Sequence, residues 1–246
     1  MPEDKARKRA VRARMAQTGE RYTTAARKLG TPAYDTNDPE QRTRTLNERF
    51  DTVAGQLGSD KPPAVRVAGV YAMAGLADDW PDHRQMCVDV LCAYLRMPYE
   101  PGPGDDAPVE KRLAFQASRE VRHTVIRVIA AHLNGTAPVS WCGLNFDFAG
   151  AVFDGGDFSG AKFSGGTVNF TGAEFSGGTV DFADAEFPGG TVSFAGAGFS
   201  GGKVDFSRVA SWTQPPDFGS GFDMSHPPAG VMLPTATSPS PDSPVP

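Results

Sequence analysis

Phenylalanine returns at fixed intervals through the second half of this chain. Phe148, Phe153, Phe158 and Phe163 are five residues apart, and Phe170, Phe175, Phe182, Phe187, Phe194, Phe199 and Phe206 alternate steps of five and seven. Twelve of the sixteen phenylalanines fall in residues 146–206. One large apolar residue per fixed period marks a solenoid. Paired glycines such as Gly177-Gly178 and Gly189-Gly190 exclude a helix. The extended runs between them are too short for an ordinary hairpin sheet. In Thr179-Val180-Asp181-Phe182, strand alternation turns Val180 and Phe182 inward and Asp181 outward. Ala185 and Phe187 repeat that choice on the next side, and Asp181 is expected to be replaceable at little cost. A single turn has no closed core, so stacking is what makes the unit stable.

The first half reads as helices. Residues 4–29 form a basic segment, with Arg7, Lys8, Arg9, Arg12 and Arg14, interrupted near Thr18-Gly19. Residues 42–57 carry the stripe Leu46, Phe50, Val53 and Leu57. A helix over 63–78 opens on Pro63, which a first helical turn tolerates. Another, over 82–97, takes Asp82 as N-cap with Gln85 three residues later and buries Cys87, Val90, Leu91, Tyr94 and Leu95. The last, over 109–134, carries Val121, Val125, Val128, Ile129 and Leu133 and stops at Gly135. It is expected to cover the first coil of the solenoid. The domain reading is a basic helical arm (1–30), a linker (31–41), a helical domain (42–135), a solenoid with its cap (136–212) and a disordered Pro/Ser-rich tail (213–246). Trp212 and Phe218 or Phe222 are expected to cover the open end.

Two resemblances sharpen this reading. Ala151-Val-Phe153-Asp-Gly, Gly156-Asp-Phe158-Ser-Gly and Ala161-Lys-Phe163-Ser-Gly resemble three successive pentapeptide repeats. That family's fold is a right-handed quadrilateral β-helix with a Phe or Leu stack inside, so the resemblance implies the same here. The later units depart from the pattern by two extra residues in the Gly-Gly-Thr-Val segment. Bulged pentapeptide coils and a different coil length both stay open. Val65-Arg66 with Val70, Met73 and Leu76 parallels Val121-Arg122 with Ile126 and Ile129, which resembles a pair of HEAT-type helical repeats. Residues 56–61 and 65–71 resemble the helical region that precedes pentapeptide repeats in many actinobacterial proteins. Such relatives often carry N-terminal membrane helices; no stretch here reaches the roughly 20 apolar residues a span needs. The fold class is α+β in series: an all-α, HEAT-like block followed by a right-handed β-helix.

Charge divides along the chain. Residues 1–30 hold nine Lys/Arg against three Asp/Glu, while residues 146–206 hold two against eight. The three cysteines, Cys87, Cys92 and Cys142, read as small hydrophobes rather than a disulfide or metal set. With no apolar core behind the N-terminal charges, a cytoplasmic location is expected. His83, His123, His132 and His226 lack metal-ligand spacing, and no P-loop, nucleophile elbow or dinucleotide fingerprint occurs. The acids Asp184 and Glu186 read as solvated outward positions. No catalytic, cofactor-binding or metal residue is expected, and the chain reads as no enzyme. The leading function is a non-catalytic protein-interaction scaffold for an unknown protein partner. The alternatives are an acidic nucleic-acid mimic acting on a DNA-binding enzyme such as a type II topoisomerase, as the pentapeptide resemblance implies, and an accessory module of an enzyme or transporter. The basic arm is expected to make weak, sequence-independent contact with polyanions. The family's usual C-terminal dimer helix is absent from the sequence, which leaves the oligomeric state open.

Overall fold

The computed structural model describes residues 2–21, 24, 39–58, 60–100, 102–104 and 106–234. Among them are five α-helices followed by a parallel β-solenoid. The chain divides into two compact units, residues 1–48 and 49–246. In the first, α1 spans Pro2–Thr18, and Gly19 ends it with its N–H on the Met15 carbonyl at 2.9 Å. Val11 is buried, whereas Lys8, Arg9 and Arg12 are exposed. The expected helical continuation to residue 29 and linker positions 31–38 fall largely or wholly outside the described residues. Helix α2, Pro39–Gln56, starts three residues earlier than the expected boundary at 42. Proline suits a first helical position, so the linker's last residues join the helix.

Three further helices follow in the second unit: α3 (Pro63–Asp79), α4 (Arg84–Arg96) and α5 (Val109–Leu133). Helix α3 packs against both α4 and α5. Its buried residues Val70, Met73 and Leu76 meet a core that includes Val88, Leu91, Leu95, Val121, Val125 and Ile129. The capping box expected at Asp82 and Gln85 does not form. Pro81–His83 makes a 3₁₀ turn instead, without a side-chain cap. The Gln85 side chain is engaged elsewhere, at the solenoid. Phe50 and Val90 are half-buried rather than core.

The solenoid has four sides, and every strand pair in it is parallel. Its strands are β1 (Phe146–Asp147), β2 (Val152–Phe153), β3 (Gly156–Asp157), β4 (Thr167–Asn169), β5 (Glu174–Phe175), β6 (Thr179–Asp181), β7 (Thr191–Ser193), β8 (Lys203–Asp205) and β9 (Val231–Met232). One side is β1-β4-β7, a second β2-β5 and a third β3-β6-β8-β9; bridges Lys162–Glu186 and Glu186–Ser211 make the fourth. Phe146 pairs with Val168, 22 residues on, and Val168 with Val192, 24 residues on. The coil length is thereby settled. Two twelve-residue units complete one turn, and the added Gly-Gly pairs open two of its four corners.

Register stacks the phenylalanines in four columns. Phe148, Phe170, Phe194 and Phe218 follow one another at 5.0, 4.5 and 5.3 Å between ring centroids. Phe153, Phe175 and Phe199 are spaced by 5.3 Å at each step. Phe158, Phe182 and Phe206 form the third column, at 5.3 and 4.6 Å. Phe163 and Phe187 lie 5.1 Å apart in the fourth, with Trp212 edge-on at 5.4 Å. Val168, Val180, Val192 and Val204 fill the longer sides, while Ala161, Ala173 and Ala185 fill shorter ones. Each ring buried here contributes roughly 1.5–3 kcal/mol, offset by the ordering of a glycine-rich backbone.

The stacking distance explains the second glycine of the Gly165-Gly166, Gly177-Gly178 and Gly189-Gly190 pairs. At Gly178 a Cβ would lie 2.6 Å from the Asp154 carbonyl oxygen of the preceding coil, and φ is +61°. At Gly166 the corresponding approach, to the Leu144 oxygen, is 2.2 Å. Only glycine lets adjacent coils come this close. The outward acids have a local task too. Asp181 Oδ1 accepts the Ala183 N–H at 2.8 Å, and Asp157 and Asp205 do the same for Ser159 and Ser207. Asp181 is therefore a turn residue and not the neutral outward position expected, because its side chain satisfies a backbone donor.

The solenoid also runs past the expected boundary at 212. Asp217 bridges to Ser193, Phe218 is buried under the first column, and Val231–Met232 pairs with Val204–Asp205. Residues 213–234 are coil because apolar residues continue to meet the columns; positions 235–246 lie outside the described residues.

Gly178→Ala should cost about 2 kcal/mol or more, from the close approach and the left-handed φ. Gly177→Ala, whose Cβ would meet nothing within 4 Å, should stay within about 0.5 kcal/mol. Denaturant melts of the two variants compare them directly, and equal costs would contradict the coil spacing.

Candidate functional site

The ionisable side chains gather where the helices meet the first coil. No earlier coil precedes it among the described residues, so its backbone edge lacks a strand partner on most of its sides. Side chains take the partner's place. The Gln85 carboxamide donates to the Asn145 carbonyl at 2.8 Å and accepts the Asn145 N–H at 2.9 Å, as a neighbouring strand would. Arg96 donates to the Asp147 carbonyl at 3.0 Å and also pairs with its carboxylate. Arg122 reaches the Val152 carbonyl at 2.6 Å and the Leu95 carbonyl at 2.8 Å, with its guanidinium 4.2 Å over the Tyr99 ring. On the fourth side the backbone itself closes the edge: the Lys162 N–H donates to the Leu133 carbonyl at 2.8 Å, and Asn134 bridges to Ala161.

Asp154 is the densest point. Its carboxylate accepts the Tyr99 hydroxyl at 2.8 Å, Arg119 Nε at 2.9 Å and His123 Nε2 at 2.8 Å. Burial alone would raise its pKa. The hydrogen bonds from His123 and Tyr99, with the charges of His123 and Arg119, outweigh that and bring it to about 2. Burial, followed by the bond to this carboxylate, pushes the Tyr99 hydroxyl well above its ordinary range. Neither Asp154 nor Tyr99 is poised to exchange a proton near neutral pH, and their bonds tie the helical block to the first coil. A second cluster ties α3 and α5 to the segment before the first coil. Asp78 accepts Trp141 Nε1 at 2.9 Å and faces His132 Nε2 at 3.2 Å, while His132 stacks on Trp141 at 3.9 Å.

The residues weighed from sequence do not converge. His83 stacks on Trp80, His123 and His132 belong to the two clusters, and His226 is exposed beside Asp223. Asp184 and Glu186 act separately: Asp184 sits in a left-handed turn at φ 56°, and Glu186 pairs with Lys162 at 2.9 Å. Cys87 and Cys92 are buried free thiols whose pKa burial raises to about 11 and about 12. Cys142 faces the Lys162 carbonyl at 3.2 Å. No group of three or more His, Cys, Asp or Glu suited to a metal occurs among the described residues. Sequence reasoning missed Tyr99, Arg119, Arg122 and Asp154 as one group. Its trace was legible: Asp154 follows Phe153 where Ser176 and Ser200 follow the later rings of that column.

The opposite end is built differently. Phe222 stacks on Phe218 at 4.3 Å, and the following chain swings to β9 without covering Phe199. An open cavity of about 440 Å³ remains there, walled by Phe199, Phe218, Phe222 and Pro228.

A family model described as pentapeptide repeats, in nine copies, matches residues 148–187 and 165–210. The matched residues lie within the four-sided solenoid, and that stretch carries pentapeptide repeats. Comparison with curated proteins and with solved structures gives no match. No helix among the described residues is long and apolar enough to cross a membrane.

The depressed pKa of Asp154 makes stability depend on acid. Its contribution is complete above the ordinary aspartate value near 3.8 and is lost as pH falls through about 2. Asp154→Asn should cost about 2 kcal/mol at neutral pH. It should also flatten the loss of stability between about pH 5 and 2. Urea melts across that range check both; an unchanged acid limb would remove Asp154 from the junction's energetics.

Proposed function

We propose that the protein is a non-catalytic interaction scaffold whose working surface is the outside of the solenoid. The observation that carries this reading is the register. Asp157, Asp181 and Asp205 stand above one another, as do Thr167 and Thr191, and Asn169 and Ser193. A repeating coil offers a partner the same groups at a fixed interval of roughly 4.8 Å. The clustered ionisable groups at the other end are engaged in holding the fold. The three free cysteines agree with a reducing compartment, and we place the protein in the cytoplasm. A pull-down with the full chain from extract of its native cell tests the scaffold reading. A stoichiometric, saturable protein partner is expected. Turnover of a substrate by the purified chain, with no such partner, would overturn it.

The same ladder favours a second reading, a nucleic-acid mimic that occupies the DNA site of a topoisomerase-like enzyme. Three carboxylates line up on one side, with Arg208 at 3.6 Å from Asp181 as a countercharge. Asparagine would keep the turn hydrogen bond and remove the charge. On this reading the purified chain inhibits type II topoisomerase supercoiling in competition with DNA, and the triple Asp157, Asp181 and Asp205→Asn variant does not. Equal inhibition by both proteins, or none by either, rejects it. On α1, the exposed Lys8, Arg9 and Arg12 support weak contact with a phosphate backbone. Binding of the full chain to duplex DNA should fall steeply with salt; salt-independent binding would defeat the electrostatic account.

A further inference from the structure

The four columns do not end together. The first column gains a fourth ring in Phe218 and a fifth in Phe222. The third gains Leu233, which follows the paired residues Asp205 and Met232 and so takes the register of Phe206. The fourth ends on Trp212, edge-on over Phe187. The second column stops at Phe199, which stays half-buried with the cavity above it.

The backbone stops at the same place. In each earlier rung of this side a ring residue's N–H donates to the coil above, as Phe175 N–H does to the Gly198 carbonyl at 2.8 Å. The residue before the ring in that next coil donates back: Glu174 to Ala151, and Gly198 to Ala173, each at 2.9 Å. One coil further, the Ala197 carbonyl, the Phe199 N–H and the Phe199 carbonyl have no backbone partner among the described residues. An acceptor, a donor and an acceptor in this order form the edge of one strand rung. The uncovered ring and the unpaired edge adjoin the same cavity.

We propose that this notch is a binding slot for an extended segment of a partner protein, docked as a parallel strand with a Phe or Leu over Phe199. The proposal rests on the scaffold reading and states where the partner attaches. The missing rung fixes the chemistry of the guest. One residue of the guest must donate its N–H to Ala197 and accept from Phe199. The next carries the apolar side chain, as Phe175 follows Glu174. The residue after that donates to the Phe199 carbonyl, as Ser176 does to Phe153 at 2.9 Å. A small residue must come first, where Ala173 and Ala197 stand in the coil. The guest is therefore small–any–Phe/Leu–any with free N–H groups, joined by strand addition to an edge.

Other occupants fit this requirement poorly. The chain's own residues 235–246 contain no Phe, Leu, Ile or Met, and four of the twelve are prolines, which lack the N–H. Every Ala-x-Phe segment of a second copy is already built into that copy's coils.

The probe is a fluorescent, end-blocked peptide with the sequence of residues 171–177, Thr-Gly-Ala-Glu-Phe-Ser-Gly, titrated into the full chain by anisotropy. Saturable binding is expected. Replacing the peptide's Phe by Ala, or its Glu by Pro, should each weaken binding by about tenfold or more. Gly221→Trp should do the same from the protein side, because Gly221 lines the cavity and has open space around its Cβ position. A melting curve like that of the parent chain shows that this variant is folded. Should it not fold, Pro228→Trp at the opposite wall takes its place.

Peptide that does not saturate, or that binds regardless of the Ala and Pro replacements, overturns the slot. So does binding that appears only after residues 235–246 are removed, which would give the notch to the chain's own tail. A dimer that peptide dissociates would give it to a second copy and equally overturn the proposal. A captured partner whose binding ignores Gly221→Trp would overturn the slot while leaving the scaffold reading intact.

Discussion

A stack of coils has two ends, and each end leaves a ring of backbone N–H and C=O groups that the coil cannot satisfy from within. Most of what is distinctive in this protein follows from how it meets that constraint. At the N-terminal end, Gln85, Arg96, Arg119 and Arg122 reach from α4 and α5 to carbonyls of Asn145, Asp147, Asp154 and Val152. Arginine suits this work because its planar fork holds several acceptors at once. Burying Arg122 is tolerable because two carbonyls and an aromatic face receive its charge. The helices are thus the missing coil, and the solenoid in turn gives α5 a surface to pack on.

Between the ends, two demands set the sequence. Rings must stack at about 5 Å, the spacing of parallel strands, and corners must turn without clashing with the coil below. The first selects phenylalanine at each column. The second selects Gly-Gly at the long corners, where a carbonyl of the previous coil lies against the second glycine. Outward positions were free to carry polar residues, and many became turn residues: Asp147, Asp157, Asn169, Asp181 and Asp205 each accept a backbone N–H two positions on. The negative charge of this half is in part a by-product of those turns, which weakens any inference from net charge to partner.

The columns and the in-out alternation were legible in the sequence, since a strict period with one large residue per unit admits little else. Helices α3 and α5 were legible from their apolar stripes and, for α3, from Pro63; the expected glycine cap did not form, since α5 ends on an extended Asn134 and Gly135 lacks the left-handed φ of a cap. Coil length was not, because a five-plus-seven rhythm fits more than one closure until strand register is known. The role of Gln85 was hidden by local logic: it sits where a capping box would put it, yet a distant backbone edge competes for its amide. The end of the solenoid was misjudged for a related reason. Residues 213–234 are rich in proline and serine and lack the period, but Phe218, Val231 and Leu233 suffice to continue two columns. The junction cluster joins Asp154 to residues 31 to 55 positions away, beyond any local pattern.

Site-resolved amide hydrogen exchange on the full chain tests the contrast between the two ends most directly. The account predicts slow exchange at Asn145 and Lys162, whose N–H groups the Gln85 side chain and the Leu133 carbonyl receive. It predicts that Phe199 exchanges roughly two orders of magnitude faster than Phe175, one coil below in the same column. Equal protection at Phe199 and Phe175, or rapid exchange along the first coil, would contradict a solenoid closed by its helices at one end and open above Phe199 at the other.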